Sequence, residues 1–450
     1  MSASSDRGRF KFIGHALDGS GPFRPSVTYD AYNKPSNVSY SYLIRYPRES
    51  DEKYARRCEL AFFASPLARV TTQFVSHIAA KHTSRETSNA LLQTMMNNVD
   101  GKDNSVSVFM QQFMVQAKAR GSALMLVDMP SAMPSNLRDQ IANRIMPYWN
   151  YISPESVNDF QIGDDGKFDF VSFNGEFIKE NGEKVQCVWR FDRESWIARD
   201  DQDSILSSGE HPLGECPVII FAESGNYPCF GQFAPIADLS KRLFNLDSEL
   251  DEILRAQTFS LLTLAVPENS SDKEKLQAAK TAGETIGTNN LLIHTGQAPG
   301  FIAPPDGPAS IYLERIQDIR NQISEIGLDV TQINQQESGI AMQMRFHTIN
   351  SELAKFSQLM EDFERRAWDL TAKWLKLNDA PIIEWPRDFN IADTQGELEI
   401  LRSMQETAMP NPVLVEQKKR IVETQFGNLD IDQQQELISV LDQELSATDG

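Results

Sequence analysis

The sequence predicts an α+β protein in which helix predominates. Three observations carry this reading. Between Met146 and Phe221 apolar residues recur every second position, elsewhere they recur every third or fourth, and residues 340 to 380 contain neither Gly nor Pro. At 450 residues the chain can build more than one core, and its composition, 40% hydrophobic and 24% charged, is that of a folded protein.

The elements follow in chain order. Residues 1–48, rich in Ser, Pro, Tyr and Gly, read as an extended N-terminal arm. Helical periodicity then runs from Glu49 to His82, interrupted at Pro66, with Leu67, Val70, Phe74 and Ile78 forming one stripe. A further helix covers Val106 to Ala119 and stops at Gly121, and "SALMLVDMP" reads as a buried strand. The alternation in "KVQCVWRFD", with turn signals at Asp165-Gly166, Asn174-Gly175 and Asn181-Gly182, predicts an antiparallel meander that closes on "HPLGECPVIIF".

From Ile236 to Val266 there is again no Gly or Pro, and Leu239, Leu243, Leu246, Leu250 and Leu254 form a helical stripe ended by Pro267. Residues 267–308 form a small mixed island, with a helical piece near Lys273 to Ala282 and a strand-like "NLLIHT". A second helix runs from Ala309 to Ile326, in a segment taken as 309–328. Residues 329–339 are a polar connector. The third helix, 340–380, keeps its stripe from Phe346 to Leu377 and would span roughly 60 Å at 1.5 Å per residue. Its seven charged residues between Glu352 and Arg366 exclude a membrane span. The tail, 381–450, is helical and acidic, with fourteen Asp/Glu against five Lys/Arg.

The net charge of −20 and pI near 4.8 exclude a sequence-reading DNA binder, which carries a basic contact face. They leave room for a protein that DNA must pass without sticking. Cys58, Cys187, Cys216 and Cys229 form no C-x-x-C pair and read as reduced thiols. The opening "MSASSDRGRFKF" has no apolar core of a signal peptide, and no run approaches the roughly 20 residues of a membrane helix, so a soluble intracellular chain is expected.

Catalytic signals are thin. There is no G-x-G-x-x-G, P-loop, H-E-x-x-H or G-x-S-x-G, and the six histidines are scattered, with His77 and His82 five apart. Asp164-Asp165 and Asp200-Asp201 sit beside turn residues, where Asp satisfies its own backbone. No catalytic residue, metal site or cofactor is expected. Arg45, Arg48, Lys53, Arg56 and Arg57 form the main basic concentration, read as a solvated helix face or as a contact to an acidic neighbour, another copy of this chain or DNA.

The order of these elements, together with "ARGSALMLVDMP", "MPYWNYISPESVNDF", "FNLDSELDEILRAQTF" and "ESGIAMQMRF", resembles the portal proteins of tailed bacteriophages over about residues 50 to 445. The resemblance implies a ring, dodecameric in virions, at one capsid vertex, through which double-stranded DNA is packaged and ejected. It implies wing (49–235), stem (236–266 and 309–328), clip (267–308), tunnel loop (329–339), long wing helix (340–380) and crown (within 381–450).

On this sequence the tunnel loop carries Thr331, Gln332, Asn334, Gln335, Gln336, Glu337, Ser338 and Gly339. The candidate acidic channel lining is Asp247, Glu249, Asp251, Glu252, Asp318 and Glu325. The clip candidates for docking are Glu268, Lys273, Lys275, His294 and Phe301. Implied partners are further copies of the chain, the terminase large subunit, the major capsid protein, scaffold and head-completion or adaptor proteins, with no membrane. The implied place is the virion, after assembly in the host cytoplasm. The competing expectations are another virion structural protein, a head–tail adaptor or scaffold, and a cytosolic enzyme of unknown chemistry.

Overall fold

The computed structural model describes residues 3–32, 34–130, 146–179, 181–258, 261–266, 271, 273–274, 291–295, 300–302, 307–327, 339–389, 401–407, 409–410, 413–415, 417–419, 421 and 440. Helix and strand mix as an α+β arrangement. The chain divides into two units. The first is 1–334 with 353–387, and the second is 335–352 with 388–450.

The first unit opens with a correction. Residues 3–18 are not an extended arm but a helix, α1 (Ala3–Asp18), which buries Phe10, Ile13, Ala16 and Leu17. Gly8 and Gly14 depress its intrinsic propensity, and burial of one apolar face offsets that. Gly14 has a use: a Cβ there would lie 2.6 Å from the Arg120 guanidinium. A short hairpin follows, β1 (Val27–Tyr29) with β2 (Pro35–Val38). The helical stretch broken at Pro66 becomes α2 (Asp51–Leu60), capped by Ser50, and α3 (Pro66–Ala79). Strand β3 (Ser84–Glu86) and α4 (Ala90–Met96), capped by Asn89, were not read from the sequence.

Helix α5 (Val106–Arg120) stops at Gly121, whose φ of +82° is open to Gly and costly to other residues. A Cβ at 121 would sit 1.9 Å from the Gly231 nitrogen. The Gly121→Ala variant is expected to lose about 2–3 kcal/mol from the left-handed backbone and the clash together. An unchanged urea midpoint would remove that account.

The strand β4 (Ser122–Asp128) is buried along nearly its whole length, between β5 (Tyr148–Ile152) and β11 (Val218–Ala222). The meander is a separate five-stranded antiparallel sheet of β6 (Val157–Ile162), β7 (Phe168–Ile178), β8 (Lys184–Asp192), β9 (Ser195–Arg199) and β10 (Ile205–Glu210). The closing apolar strand thus pairs with β4, not with the meander. Asp165-Gly166 and Asn181-Gly182 are turns, with positive φ at both glycines. Asn174-Gly175 is not: it lies inside β7, and Gly175 makes room for Trp189 on β8, which a Cβ would approach to 2.8 Å.

The helix expected over 236–266 is α6 (Ala234–Thr258), and of the remaining expected residues, 261–266 are not helical. Leu261–Val266 is a strand, β12, parallel to β13 (Leu291–Thr295) and antiparallel to β14 (Gly300–Ile302). Within "LLTLAV" the Thr and Val residues favour strand, and pairing on both edges outweighs the absence of Gly or Pro. Helix α7 (Gly307–Ile326) returns beside α6 and buries Ile316, Ile319 and Ile323. Helix α8 (Gly339–Trp374) has 36 residues and ends six before the expected Ala380. In the first unit its Leu353, Phe356, Phe363, Ala367, Leu370 and Trp374 are buried, as the stripe requires. The chain leaves it through β15 (Ile382–Glu384), paired with β3.

In the second unit, Asn350 of α8 accepts a hydrogen bond from the Phe389 amide at 2.7 Å. Residues 401–406 are helical. The other expected tail helices fall largely outside the described residues.

Candidate functional site

Helices α6 and α7, with the sheet β12–β14 between them in sequence, hold eight of the nineteen site residues expected from the chain. They run antiparallel: Glu249 faces Tyr312, while Asp247, earlier on α6, faces Arg320, later on α7. The Ile stripe of α7 meets the buried side of α6, leaving Glu314, Asp318 and Glu325 exposed. Together α6 and α7 carry eight Asp/Glu and five Lys/Arg.

The structure sorts the six acidic candidates. Glu249 accepts a hydrogen bond from the Tyr312 hydroxyl at 2.8 Å, which raises the phenol's pKa. Burial pushes the Asp247 carboxyl above its ordinary range, with Arg320 opposing the rise and Asp251 adding to it. Glu252 pairs with Arg255 at 3.0 Å, and Asp318 with Arg315 at 3.7 Å. Asp251 and Glu325 are exposed. Asp247 and Glu249 therefore belong to the seam between the helices, and Asp251, Asp318 and Glu325 to the outer surface.

Asp247 gives a pH test. A carboxyl whose folded pKa lies above its unfolded value, about 3.9, stabilises most when protonated, and that contribution is lost as pH rises through the folded pKa. Between pH 7 and pH 4, wild type is expected to gain stability relative to Asp247→Asn. Parallel pH profiles of the two in urea would show that the seam does not hold a strained carboxylate.

The tunnel-loop residues Thr331, Gln332, Asn334, Gln335, Gln336, Glu337 and Ser338 lie outside the described residues, and Gly339 is the first residue of α8. Of the clip candidates, Glu268 and Lys275 lie outside them too. Lys273 is exposed in a helical turn opened by a reciprocal cap: the Ser271 amide donates to Glu274 at 2.7 Å, and the Glu274 amide donates to the Ser271 hydroxyl at 3.4 Å. His294 sits on β13 opposite Ala265, and Phe301 on β14 opposite Leu262.

The upper part of α6 is fastened to the rest of its unit by a cluster that sequence reasoning missed. Arg57, read as part of a solvated face, is buried. It donates to both oxygens of Glu49 at 2.9 and 2.8 Å, to Ser248 on α6 at 3.3 Å, and lies 4.0 Å above the Tyr46 ring. Asn245 adds a clamp, accepting from the Ile44 amide at 2.7 Å and donating to the Tyr42 carbonyl at 3.1 Å. Burial pushes the Tyr46 hydroxyl up to about 12. The available signal was spacing: Arg57 shares the helical face of Tyr54 and Cys58. Arg45, Arg48, Lys53 and Arg56 are exposed.

The chemistry elsewhere is structural. Lys118 is buried with its ammonium 2.6 Å from Glu223, 3.0 Å from Gln232 and within 4.6 Å of the Phe74 and Phe233 rings. An open cavity of about 450 Å³ between β11 and the end of α8 is edged by Lys167, Glu215 and Lys373. Burial would raise the Glu215 carboxyl, but hydrogen bonds from Lys167 and Lys373 hold it below the usual range. Burial pushes the Cys216 thiol up to about 12 and raises Cys58 and Cys187, so these three are not activated nucleophiles. Among the described residues no three His, Cys, Asp or Glu side chains gather as metal ligands, and no helix is long and apolar enough to cross a membrane.

No family model and no curated protein matches the chain. Among solved structures it is similar to a chain in the neck of an empty gene transfer agent (GTA) particle computed with C6 symmetry. That pair shares 10% identity over 77% of this chain and 87% of that one, at a TM-score of 0.46. A chain in the neck of a native GTA particle computed with C12 symmetry matches at 10% identity, 76% and 86% coverage and 0.44. A chain in the virion of the native particle matches at 11%, 89% and 95%, and 0.44. Likeness this distant carries no functional argument by itself.

Proposed function

We propose that this chain is a structural component of a phage-like particle and, within that class, a portal protein: copies arranged in a ring whose central channel passes double-stranded DNA. The observation that carries this reading is the antiparallel pair α6 and α7 enclosing, in sequence, the small sheet β12–β14, followed after a short polar segment by the 36-residue α8. That succession matches stem, clip, stem, tunnel loop and long wing helix in the family the sequence resembles. The clip is redrawn to begin at β12 rather than at Pro267.

The acidic outer surface of the stem suits the task. A channel for DNA must not bind phosphate, because each Lys or Arg that neutralises one releases counterions and adds affinity that resists sliding. Asp251 and Glu325 offer repulsion instead, and the glutamine-rich 331–336 segment offers only exchangeable hydrogen bonds. The motor, capsid and adaptor proteins are then partners of the ring, and the chain itself performs no catalysis.

Electron microscopy of the purified full chain tests this directly. Closed rings with an open central channel are expected. A chain that stays monomeric under assembly-promoting salt and concentration, in a particle that still fills with genome without it, would sink the reading.

A further inference from the structure

The exposed apolar surface of this protein is unevenly spread. Of the eighteen large apolar side chains exposed among the described residues, seven fall between positions 29 and 62. Tyr32, Phe62 and Tyr40 are the most open of them, at 86%, 78% and 75%. Scattered exposed apolar groups are ordinary, whereas a concentration of aromatics rimmed by charge is the composition of a protein interface.

The surface is mounted firmly. The Tyr29 hydroxyl hydrogen-bonds Glu59, tying β1 to the end of α2, and the clamp of Ile44 on Asn245 ties the following segment to α6. The hairpin β1–β2 is a sheet of two strands, a unit that is marginal without further packing.

Its charge says what covers it. Residues 24 to 62 hold seven Lys/Arg against five Asp/Glu, a balance of +2 on a chain of −20. Arg57 and Glu49 neutralise each other in the interior and Arg45 pairs with Asp51 at 2.6 Å, leaving Arg24, Lys34, Arg48, Lys53 and Arg56 on the surface. The natural complement is an acidic surface with apolar residues in it. This chain supplies one at the free edge of the meander, where exposed Ile205 begins the edge strand β10 beside exposed Asp201 and Asp203, the second of these paired with Arg199 at 3.1 Å. Nucleic acid fits less well, because Asp30, Asp51 and Glu52 interrupt the basic side chains and the whole molecule repels a polyanion.

We infer that the face of β1, β2 and α2 is a self-docking surface, taking the acidic β10 edge of a second copy of this chain. The two faces differ, so the contact is heterologous and propagates round a closed circle of copies. The inference rests on the ring reading given above and names the surface that closes it.

The test uses the full chain in sedimentation velocity at graded concentrations. Tyr32→Ser/Tyr40→Ser/Phe62→Ser is expected to raise the concentration for half-assembly at least tenfold, with an unchanged circular dichroism spectrum. Arg45→Glu/Arg48→Glu/Arg56→Glu should weaken assembly similarly, and adding Asp201→Lys/Asp203→Lys in the same chain should restore it. If wild type forms rings and the aromatic variant forms them equally well, this surface is wrong while the ring stands. If wild type itself never assembles, both readings fall. A variant that assembles normally but loses retention of a duplex DNA probe reassigns the face to nucleic acid and overturns self-docking.

Discussion

Replacing Glu364 with alanine is expected to cost about 3–5 kcal/mol of stability, the scale for removing one partner of a buried ion pair. Glu364 lies on α8 with no exposed surface. Its two oxygens accept four hydrogen bonds: from Arg85 at 2.6 and 3.0 Å, from Trp368 at 3.1 Å and from Trp385 at 2.8 Å. Arg85 also reaches Ser107 at the start of α5. One carboxylate therefore joins β3, α5, α8 and the segment after β15. Truncation leaves the Arg85 Nε and Nη2 donors and two indole N–H groups without their acceptor, and unmet donors cost more than a met hydrogen bond gains.

Glu364→Gln separates charge from hydrogen bonding, since the amide oxygen can still accept from one tryptophan while the Arg85 charge loses its counterpart. It should fall between wild type and alanine. Urea unfolding followed by tryptophan fluorescence reads both. A loss below about 1 kcal/mol for alanine would show that the junction tolerates an unpaired arginine, against the scale set by buried pairs.

That junction also shows where the sequence was legible and where it was not. The α8 stripe could be read because Leu353, Phe356, Phe363 and Trp374 obey a local period, and period survives whatever the helix packs against. Helix ends were legible where a backbone need selected the residue, as at Gly121 with its positive φ. The partners of Glu364 could not be read: Arg85 is 279 positions away, and nothing local separates a buried Glu from a solvated one. The same holds for Arg57 and Lys118, charged side chains on amphipathic helices whose burial depends on Glu49, Glu223 and aromatic rings from other elements.

Three errors have one cause, local preference overruled by pairing. Ala3–Asp18 has two glycines and is helical because Phe10, Ile13 and Leu17 find a core. Leu261–Val266 has no helix breaker and is a strand because β13 and β14 lie on either side. Asn174-Gly175 carries a turn signal and stays in a strand because Trp189 needs the missing Cβ. Of the candidate site, the acidic character of α6 and α7 was legible. The division between seam acids, Asp247 and Glu249, and outward acids, Asp251, Asp318 and Glu325, needed the helix pair.

The second large effect is functional and follows from the portal reading. Gln335→Lys/Gln336→Lys is expected to leave ring assembly intact and to cut the yield of filled particles about tenfold or more. The reason is electrostatic accumulation. Each added ammonium that contacts a phosphate steepens the fall of log affinity with log salt by about 0.9, and every copy in a ring contributes its own pair. A passage that released DNA freely would hold it, most strongly at low salt. Gln335→Glu/Gln336→Glu adds charge of the opposite sign at the same positions and should spare packaging, which separates binding from general disturbance of the segment. Raising the salt should partly rescue the lysine variant and leave the glutamate variant unchanged. Normal filling by the lysine variant, with its substitution confirmed in assembled rings, would mean that residues 335 and 336 do not meet the DNA, and the polar segment before α8 would lose the role proposed for it.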